Sequence, residues 1–237
     1  MYRFTFKLRL LLRHTLKILW LRRNQLPKKK IIEFYMDYVL QHNQAPKSIY
    51  LFSKLNGFEE SDFYEIFGDF DSLEKAVFTQ FFTSTIEVLE SSKDYHKYDS
   101  RNQLLSFYFT FFEYLTANRS YVIYSLSESK NQLENLKKLK GLRCEFLKFI
   151  DQLDIEVLKI KNKQLEQIKD NVVHETYWIQ LMLTLKFWID DRSKSFEKTD
   201  VFIEKSINAS FDLINISPLN SLVDFGKFII KEKISMN

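Results

Sequence analysis

Apolar residues recur every three or four positions along most of the chain, with polar and charged residues between them. This spacing puts the apolar side chains on one face of an α-helix, because a helix completes a turn in about 3.6 residues. The pattern predicts helices over residues 28–43, 48–55, 60–67, 73–90, 102–116, 121–126, 133–153, 171–189, 198–214 and 219–231.

The scarcity of turn residues favours an all-α fold. The chain has 4 Gly and 3 Pro among its 237 residues, too few for the turns of many short strands or for a phosphate-binding loop. Its hydrophobic content of 45% is enough to fill a large core. We therefore expect helices joined by polar turns.

Residues 46–67 read as two short helices separated by a tight turn. Pro46 suits the start of the first helix, and Asn56 with Gly57 suits its end. Gly57 is expected in the left-handed conformation that such a turn requires. A longer helix precedes the pair, so the segment has the layout of a helix-turn-helix DNA-binding unit.

Residues 48–78 resemble the signature of the TetR family of transcriptional regulators. In that signature a helix ends at Gly, a hydrophobic residue follows, and an aliphatic or aromatic residue with Tyr precedes a turn and a Leu. The matching residues, which align without a gap, are Gly57, Phe58, Phe63, Tyr64, Phe67, Gly68 and Leu73. Residues 176–214 are similar to the C-terminal region of one TetR-like subfamily.

The resemblance implies a two-domain helical protein. A basic amphipathic extension over residues 1–26 would precede a helix-turn-helix domain over 27–73 and a ligand-binding and dimerisation domain over 74–237. Such a protein is a homodimeric regulator whose DNA binding responds to a small molecule, here an apolar or lipid-like one. No cofactor is implied.

The resemblance implies a ligand pocket among the central helices, and aromatic residues with one Met are available to line it. Each of them alone is better explained by ordinary core packing, but together they suggest an apolar cavity. The candidates are Phe107, Phe111, Phe112, Tyr114, Tyr121, Tyr124, Phe146, Trp178, Met182 and Phe187. The helices over 171–189 and 198–214 are expected to pair with a second copy through Trp188, Phe202 and Phe211.

The predicted DNA-reading helix is acidic, which departs from the family pattern. Residues 45–73 hold two Lys against six acidic residues, a net charge of −4. Carboxylates facing DNA forfeit most of the counterion-release energy of binding. Either duplex DNA binding persists through the basic extension, or this helix is only a solvated face. The candidate phosphate contacts are Lys28, Lys29, Lys30, Lys47, Ser48, Lys54, Ser61 and Tyr64.

The N-terminal extension is strongly basic. Residues 1–30 carry ten cations and no acid, whereas residues 31–237 have a net charge of −6. In residues 1–23 six apolar residues share one side of a helical wheel, with most cations opposite: Phe4, Leu8, Leu11, Leu12, Leu16 and Leu19. This stretch can lie on an anionic membrane surface, follow nucleic-acid phosphates, or be a mobile extension. Charged residues interrupt it, which argues against a secretory signal.

These charges support a second hypothesis beside the regulator. A TetR-fold protein that no longer binds DNA could act as a lipid- or isoprenoid-binding accessory protein at a membrane surface. Accessory proteins of isoprenoid-quinone synthesis provide an architectural analogy, without a shared motif.

Catalytic and metal-binding patterns are missing from the sequence. The His residues lack metal-ligand spacing, and no Gly-rich loop or nucleophile elbow occurs. We therefore expect neither an enzyme nor a metal site. Asp190 and Asp191 are expected at a solvated helix end and His174 at the surface. The His residues considered are His14, His42, His96 and His174.

Cys144 is the single cysteine, which excludes an intrachain disulfide and fits a reducing compartment. We expect it in the core as a small apolar residue. The chain also has no apolar run of the about 18 uncharged residues that a membrane-spanning helix needs. The expected location is the cytoplasm, with the inner face of the membrane as an alternative through residues 1–23.

Overall fold

The computed structural model describes residues 27–127, 132–153, 155 and 163–215. No strand occurs within these ranges, which confirms the all-α class. Contacts divide the chain between Val77 and Phe78 into two compact units, called unit 1 and unit 2. The helices are α1 (Lys28–His42), α2 (Ile49–Asn56), α3 (Glu60–Tyr64), α4 (Phe70–Ser91), α5 (Ser100–Ala117), α6 (Arg119–Ser127), α7 (Gln132–Lys137), α8 (Lys140–Gln152), α9 (Lys163–Asp190) and α10 (Glu197–Asn215).

Most predicted helices are present with ends shifted by one to three residues, but two differ more. The helix predicted over 133–153 is divided into α7 and α8, because the N–H groups of Lys138 and Leu139 donate to carbonyls three residues back. This tighter turn buries Leu139 completely. Helix α9 begins eight residues before its predicted start at Asn171. The helix predicted over 219–231 lies outside the described residues.

Phe52 is the centre of the unit 1 core. Its fully buried ring meets five other rings edge to face, at centroid distances of 5.6 to 6.3 Å. Each such pair contributes about 0.5–1.5 kcal/mol beyond the burial of area. The contacts hold α2 against α1, α3 and the start of α4. The five rings are those of Tyr35, Tyr38, Phe58, Phe63 and Phe70.

The turn between α2 and α3 has the predicted geometry. Gly57 adopts φ 72° and ψ 31°, a left-handed conformation that costs little only for glycine. The N–H of the next residue, Phe58, donates to the Ser53 carbonyl at 3.1 Å. At the other end of α2, the Ser48 hydroxyl accepts a hydrogen bond from the Leu51 N–H at 3.2 Å. The prediction that Gly57 ends this helix is confirmed.

Helix α5 is the central helix of unit 2, as its nearly continuous apolar sequence predicts. Phe107 is fully buried, and its ring lies 4.8 Å from that of Phe149, 5.5 Å from that of Phe146 and 5.5 Å from that of Phe82. These contacts join α5 to α8 and α4. Helix α5 also packs against α10, and α9 packs against α8 and α10.

Arg119 closes the C-terminal end of α9. Its guanidinium donates to the carbonyls of Trp188 at 3.0 Å and Ile189 at 2.9 Å, and lies 4.4 Å from the centre of the Trp188 ring. The Trp188 indole N–H donates to the Thr116 hydroxyl at 3.0 Å. Because Trp188 is fully buried by its own chain, the prediction that it contacts a second copy is wrong.

Asp191 begins α10. Its carboxylate accepts hydrogen bonds from the N–H and hydroxyl groups of both Ser193 and Thr199, at 2.7 to 3.0 Å. Burial opposes its ionisation, but these hydrogen bonds outweigh burial and hold the pKa of Asp191 at about 2. The expectation of a solvated side chain is therefore wrong for Asp191, although Asp190 is exposed and pairs with Lys186.

Replacing Asp191 should destabilise unit 2. Asp191→Ala removes a helix cap and leaves the buried groups of Thr199 without an acceptor, so the free energy of unfolding should fall by about 2 kcal/mol. The matched control Asp190→Ala removes one exposed ion pair and should cost less than about 0.5 kcal/mol. Urea unfolding followed by circular dichroism measures both variants, and equal losses would contradict the assignment.

The same carboxylate should make stability depend on pH. Folding lowers the pKa of Asp191 from its usual 3.8 to about 2, so its stabilisation should be complete above about pH 4 and be lost as the pH falls towards 2. In Asp191→Ala that part of the acid transition should disappear.

Candidate functional site

The predicted DNA-contact residues all lie in unit 1, and all but Ser48 are exposed. Ser48 is half-buried and its hydroxyl caps α2, which leaves it a smaller role toward a phosphate. Lys28 Nζ lies 5.9 Å from the centre of the Phe67 ring, just after α3, so the lysines of residues 28–30 begin beside the end of that helix. The other exposed candidates are Lys47, Lys54, Ser61 and Tyr64.

Three of the carboxylates in this region have structural roles that the sequence interpretation missed. Asp62 accepts from the Glu59 N–H at 3.2 Å, and the two side chains form a capping box at the start of α3. Asp69 accepts from the Ser72 N–H at 2.7 Å, and hydrogen bonds from Ser72 lower the pKa of Asp69. The three-residue spacing of each pair is the sequence signal of such caps.

The remaining carboxylates make the outward side of α3 negative. Glu65 and Ser61 are exposed, Glu60 is half-buried, and Tyr64 between them is 54% exposed. Asp71 pairs with Lys75 one turn further on in α4. A helix with this surface repels the phosphates of a duplex.

Helix α2 presents an apolar face beside this acidic helix. Tyr50, Leu51 and Leu55 are 54%, 55% and 65% exposed. Lys54 on the same helix lies 5.9 Å from the centre of the Tyr50 ring. Three large apolar side chains this exposed on one short helix form a surface that is available for an interaction.

The predicted pocket residues are mostly gathered around the core of unit 2. Phe107, Phe111 and Phe146 are buried, and the Phe107 ring lies 5.4 Å from that of Phe111 and 5.5 Å from that of Phe146. Phe112 and Tyr121 are buried as well. The half-buried members of the set are Tyr114, Tyr124, Trp178, Met182 and Phe187. Ring-on-ring contact of this kind is core packing, so the ligand pocket stays a prediction.

Phe187 differs from the other predicted pocket residues in its position. It stacks on Phe202 at a centroid distance of 4.5 Å, and both rings line a surface groove of about 830 Å³ between α9 and α10. The stacking therefore groups Phe187 with the predicted dimer contact Phe202. The charged residues that line the groove are Lys186, Asp190, Asp191, Arg192 and Lys198.

Several buried polar atoms of unit 2 lack a hydrogen-bond partner among the described residues, and three of them belong to α5 and α9. These three are the hydroxyls of Tyr108 and Tyr177 and the side-chain carbonyl of Gln180. Burial raises the pKa of both tyrosines well above the usual value, so both hydroxyls keep their protons. The Gln180 amide group donates to Ser206 on α10 at 3.3 Å. No sequence pattern points to these residues.

The third predicted dimer contact, Phe211, is mostly covered by its own chain. It is 9% exposed, its ring lies 6.3 Å from that of Tyr177, and the Arg101 guanidinium lies 5.3 Å from its centre. The exposed apolar residues of this part of unit 2 lie elsewhere on α9 and α10. They are Val172, Ile179, Leu183 and Val201.

Two further expectations concern reactive side chains. His174 is partly exposed, and its Nε2 lies 2.6 Å from an Asp151 oxygen, which links α9 to α8. Cys144 is exposed on α8, so its expected place in the core is wrong.

The described residues contain no cluster of His, Cys, Asp and Glu that could hold a metal ion. In the same ranges, no helix is both long and apolar enough to cross a membrane.

Comparison with known protein families matches residues 103–229 to one described as tetracyclin repressor-like, C-terminal domain. The matched region begins in α5 and takes in the packed helices α5 to α10 of unit 2. Comparison with curated proteins gives no match. Since the match covers more than half of the chain, this protein belongs to the tetracyclin repressor-like family.

Proposed function

We propose that this protein is a dimeric transcriptional regulator of the TetR type, in which an apolar ligand bound in unit 2 modulates DNA binding by unit 1. The observation that carries the proposal is a helix, tight glycine turn and helix in unit 1, on the same chain as a C-terminal domain of this family. The left-handed conformation of Gly57 supports the interpretation of this turn as part of a helix-turn-helix unit.

Exposed apolar residues on α9 and α10 support pairing of two copies. Ile179, Leu183 and Phe187 follow one another at intervals of four residues and so lie along one side of α9. Phe202 stacks on Phe187, and Val201 beside it is 48% exposed. Two such helix pairs related by a twofold axis would bury these side chains in a four-helix interface.

Charged residues on this face should separate the two copies. Ile179→Asp with Leu183→Asp would bury unpaired carboxylates in the interface, so the double variant should be monomeric at micromolar concentration while the native chain is a dimer. Val88→Asp, which changes an equally exposed apolar residue on α4, is the control and should remain dimeric. Light scattering that finds the native chain monomeric would contradict the pairing.

The buried polar atoms of unit 2 support a ligand with one polar group on an apolar body. An unpaired buried hydroxyl is costly, and a ligand oxygen between the aromatic residues would satisfy the Tyr108 or Tyr177 hydroxyl. The surrounding rings of Phe107, Phe112 and Phe146 would contact the apolar remainder.

Tyr108→Phe tests this ligand. Native mass spectrometry of the purified protein should show a co-purifying apolar molecule, and Tyr108→Phe should lower the bound fraction about tenfold, since one hydrogen bond in a dry site is worth about 1.5 kcal/mol. Tyr98→Phe, at a 45% exposed tyrosine, should leave the bound fraction unchanged. An unaltered bound fraction in Tyr108→Phe would exclude this hydroxyl from the site.

DNA binding should depend on the N-terminal extension. Removing residues 1–25 leaves a chain of net negative charge, so duplex binding should fall to a small remainder and lose most of its salt dependence. Fluorescence anisotropy with labelled duplexes between about 50 and 200 mM salt measures this. Sequence-specific and salt-tolerant binding by the truncated chain would show instead that α3 itself reads DNA.

The acidic surface of α3 favours a second candidate function. A protein of this fold that has lost DNA binding would act as a lipid- or isoprenoid-binding accessory protein at an anionic membrane surface, attached through residues 1–23. Carboxylates at Glu60 and Glu65 are the observation that favours it, because they lie on or beside the helix that would read DNA and would repel its phosphates. Absence of any duplex binding by the full chain would select this candidate.

A further inference from the structure

The apolar side of α2 and the acidic side of α3 form a surface of mixed character on unit 1, which we name the α2–α3 face. Its apolar members are more than half exposed, and its carboxylates stand beside an equally exposed tyrosine. Exposure of this kind contrasts with the full burial of Tyr35, Phe52 and Phe63 in the same unit. The face consists of Tyr50, Leu51, Leu55, Tyr64, Glu60 and Glu65.

Residues 1–26 have the complementary composition. They carry seven cations and no acid, and six of their apolar residues share one side of a helical wheel: Phe4, Leu8, Leu11, Leu12, Leu16 and Leu19. The window of residues 45–73, which contains the α2–α3 face, has a net charge of −4 even with Lys47 and Lys54 counted. A basic amphipathic segment can therefore satisfy both the apolar and the acidic parts of this face.

The position where this segment joins the described chain brings it close to the face. Pro27 precedes α1, and Lys28 Nζ lies 5.9 Å from the centre of the Phe67 ring, two residues beyond Glu65. A helix of 26 residues would be about 39 Å long, more than enough to cross two short helices. Because the segment is attached to the same chain, its effective concentration at the face is about millimolar.

We propose that residues 1–26 dock on the α2–α3 face of their own chain in the free protein. The leucines of the segment cover Leu51 and Leu55, and its cations lie against Glu60 and Glu65. The same cations are the ones that would contact phosphates of DNA or of a bilayer, so docking and either of these uses exclude each other. This inference rests on the charges and exposure of unit 1 and holds whichever proposed function is correct.

Zero-length carbodiimide cross-linking of the full chain tests the docking, because it joins only amines and carboxylates that are in contact. Lys7 and Lys17 should link to Glu60 and Glu65, and also to Glu59 and Asp62, which border the face. In a mixture of unlabelled and ¹⁵N-labelled protein, each linked peptide pair should carry a single isotope, as an intrachain contact requires. One molar salt should suppress the links, since screening then acts over about 3 Å.

Glu60→Gln with Glu65→Gln keeps the capping residues Glu59 and Asp62 and removes two charges from the face. The yield of links from Lys7 and Lys17 to Glu59 and Asp62 should fall about fivefold, as expected for the loss of two exposed ion pairs. Glu87→Gln with Glu204→Gln, at exposed positions of unit 2, is the matched control and should leave the yield unchanged. Coincident thermal unfolding curves would show that all variants are folded.

Leu51→Asn with Leu55→Asn examines the apolar part and should also lower the yield, whereas Val88→Asn, at an exposed valine of α4, should not. The proposal is overturned if links from Lys7 and Lys17 spread evenly over exposed carboxylates of both units. Equal yields in the face variants and their controls, or links of mixed isotope, overturn it as well.

Discussion

Burial of the Phe107 ring is the constraint on which unit 2 depends. This one side chain contacts aromatic rings from α4, α5 and α8, and so fixes the separation of three helices that are distant in sequence. Interlocking planar rings allow few alternative packings, because a shift of one ring displaces its neighbours. The polar atoms enclosed next to this layer, among them the hydroxyl of Tyr108, are then held in fixed positions. Any ligand selectivity of the domain follows from that rigidity.

The junction between α9 and α10 shows how a sharp change of direction is stabilised. Ser195 and Phe196 adopt left-handed conformations with φ of 54° and 60°, which are unfavourable for residues with a side chain. Arg119 lies 4.6 Å from the centre of the Phe196 ring and caps the last turn of α9. Asp191 simultaneously starts α10. The two charged groups thus fix the geometry of both helices whose outer surfaces we propose as the contact between copies.

Local patterns predicted the helices and the Gly57 turn, because periodicity and a left-handed glycine depend on neighbours in sequence. The amphipathic pattern also identified α5 as a buried helix. The burial of Trp188 could not be predicted, because it depends on Arg119, about seventy positions away. The exposure of Cys144 could not be predicted either, because it depends on which side of α8 faces the core. Asp191 was misjudged for a related reason: its partner Thr199 lies beyond a turn whose course the sequence does not reveal.

The capping roles of Glu59, Asp62 and Asp69 have a consequence for how this surface can evolve. Reversing their charge to make this helix basic would remove the groups that cap α3 and α4. Each such replacement costs about 1 kcal/mol of stability, a large share of the margin of a small domain. Single changes of these three carboxylates to cations therefore lose stability, whereas Glu60 and Glu65 can change without the loss of a cap. Part of the negative charge near α3 is thus required for the stability of α3 and α4, because it belongs to the residues that cap them.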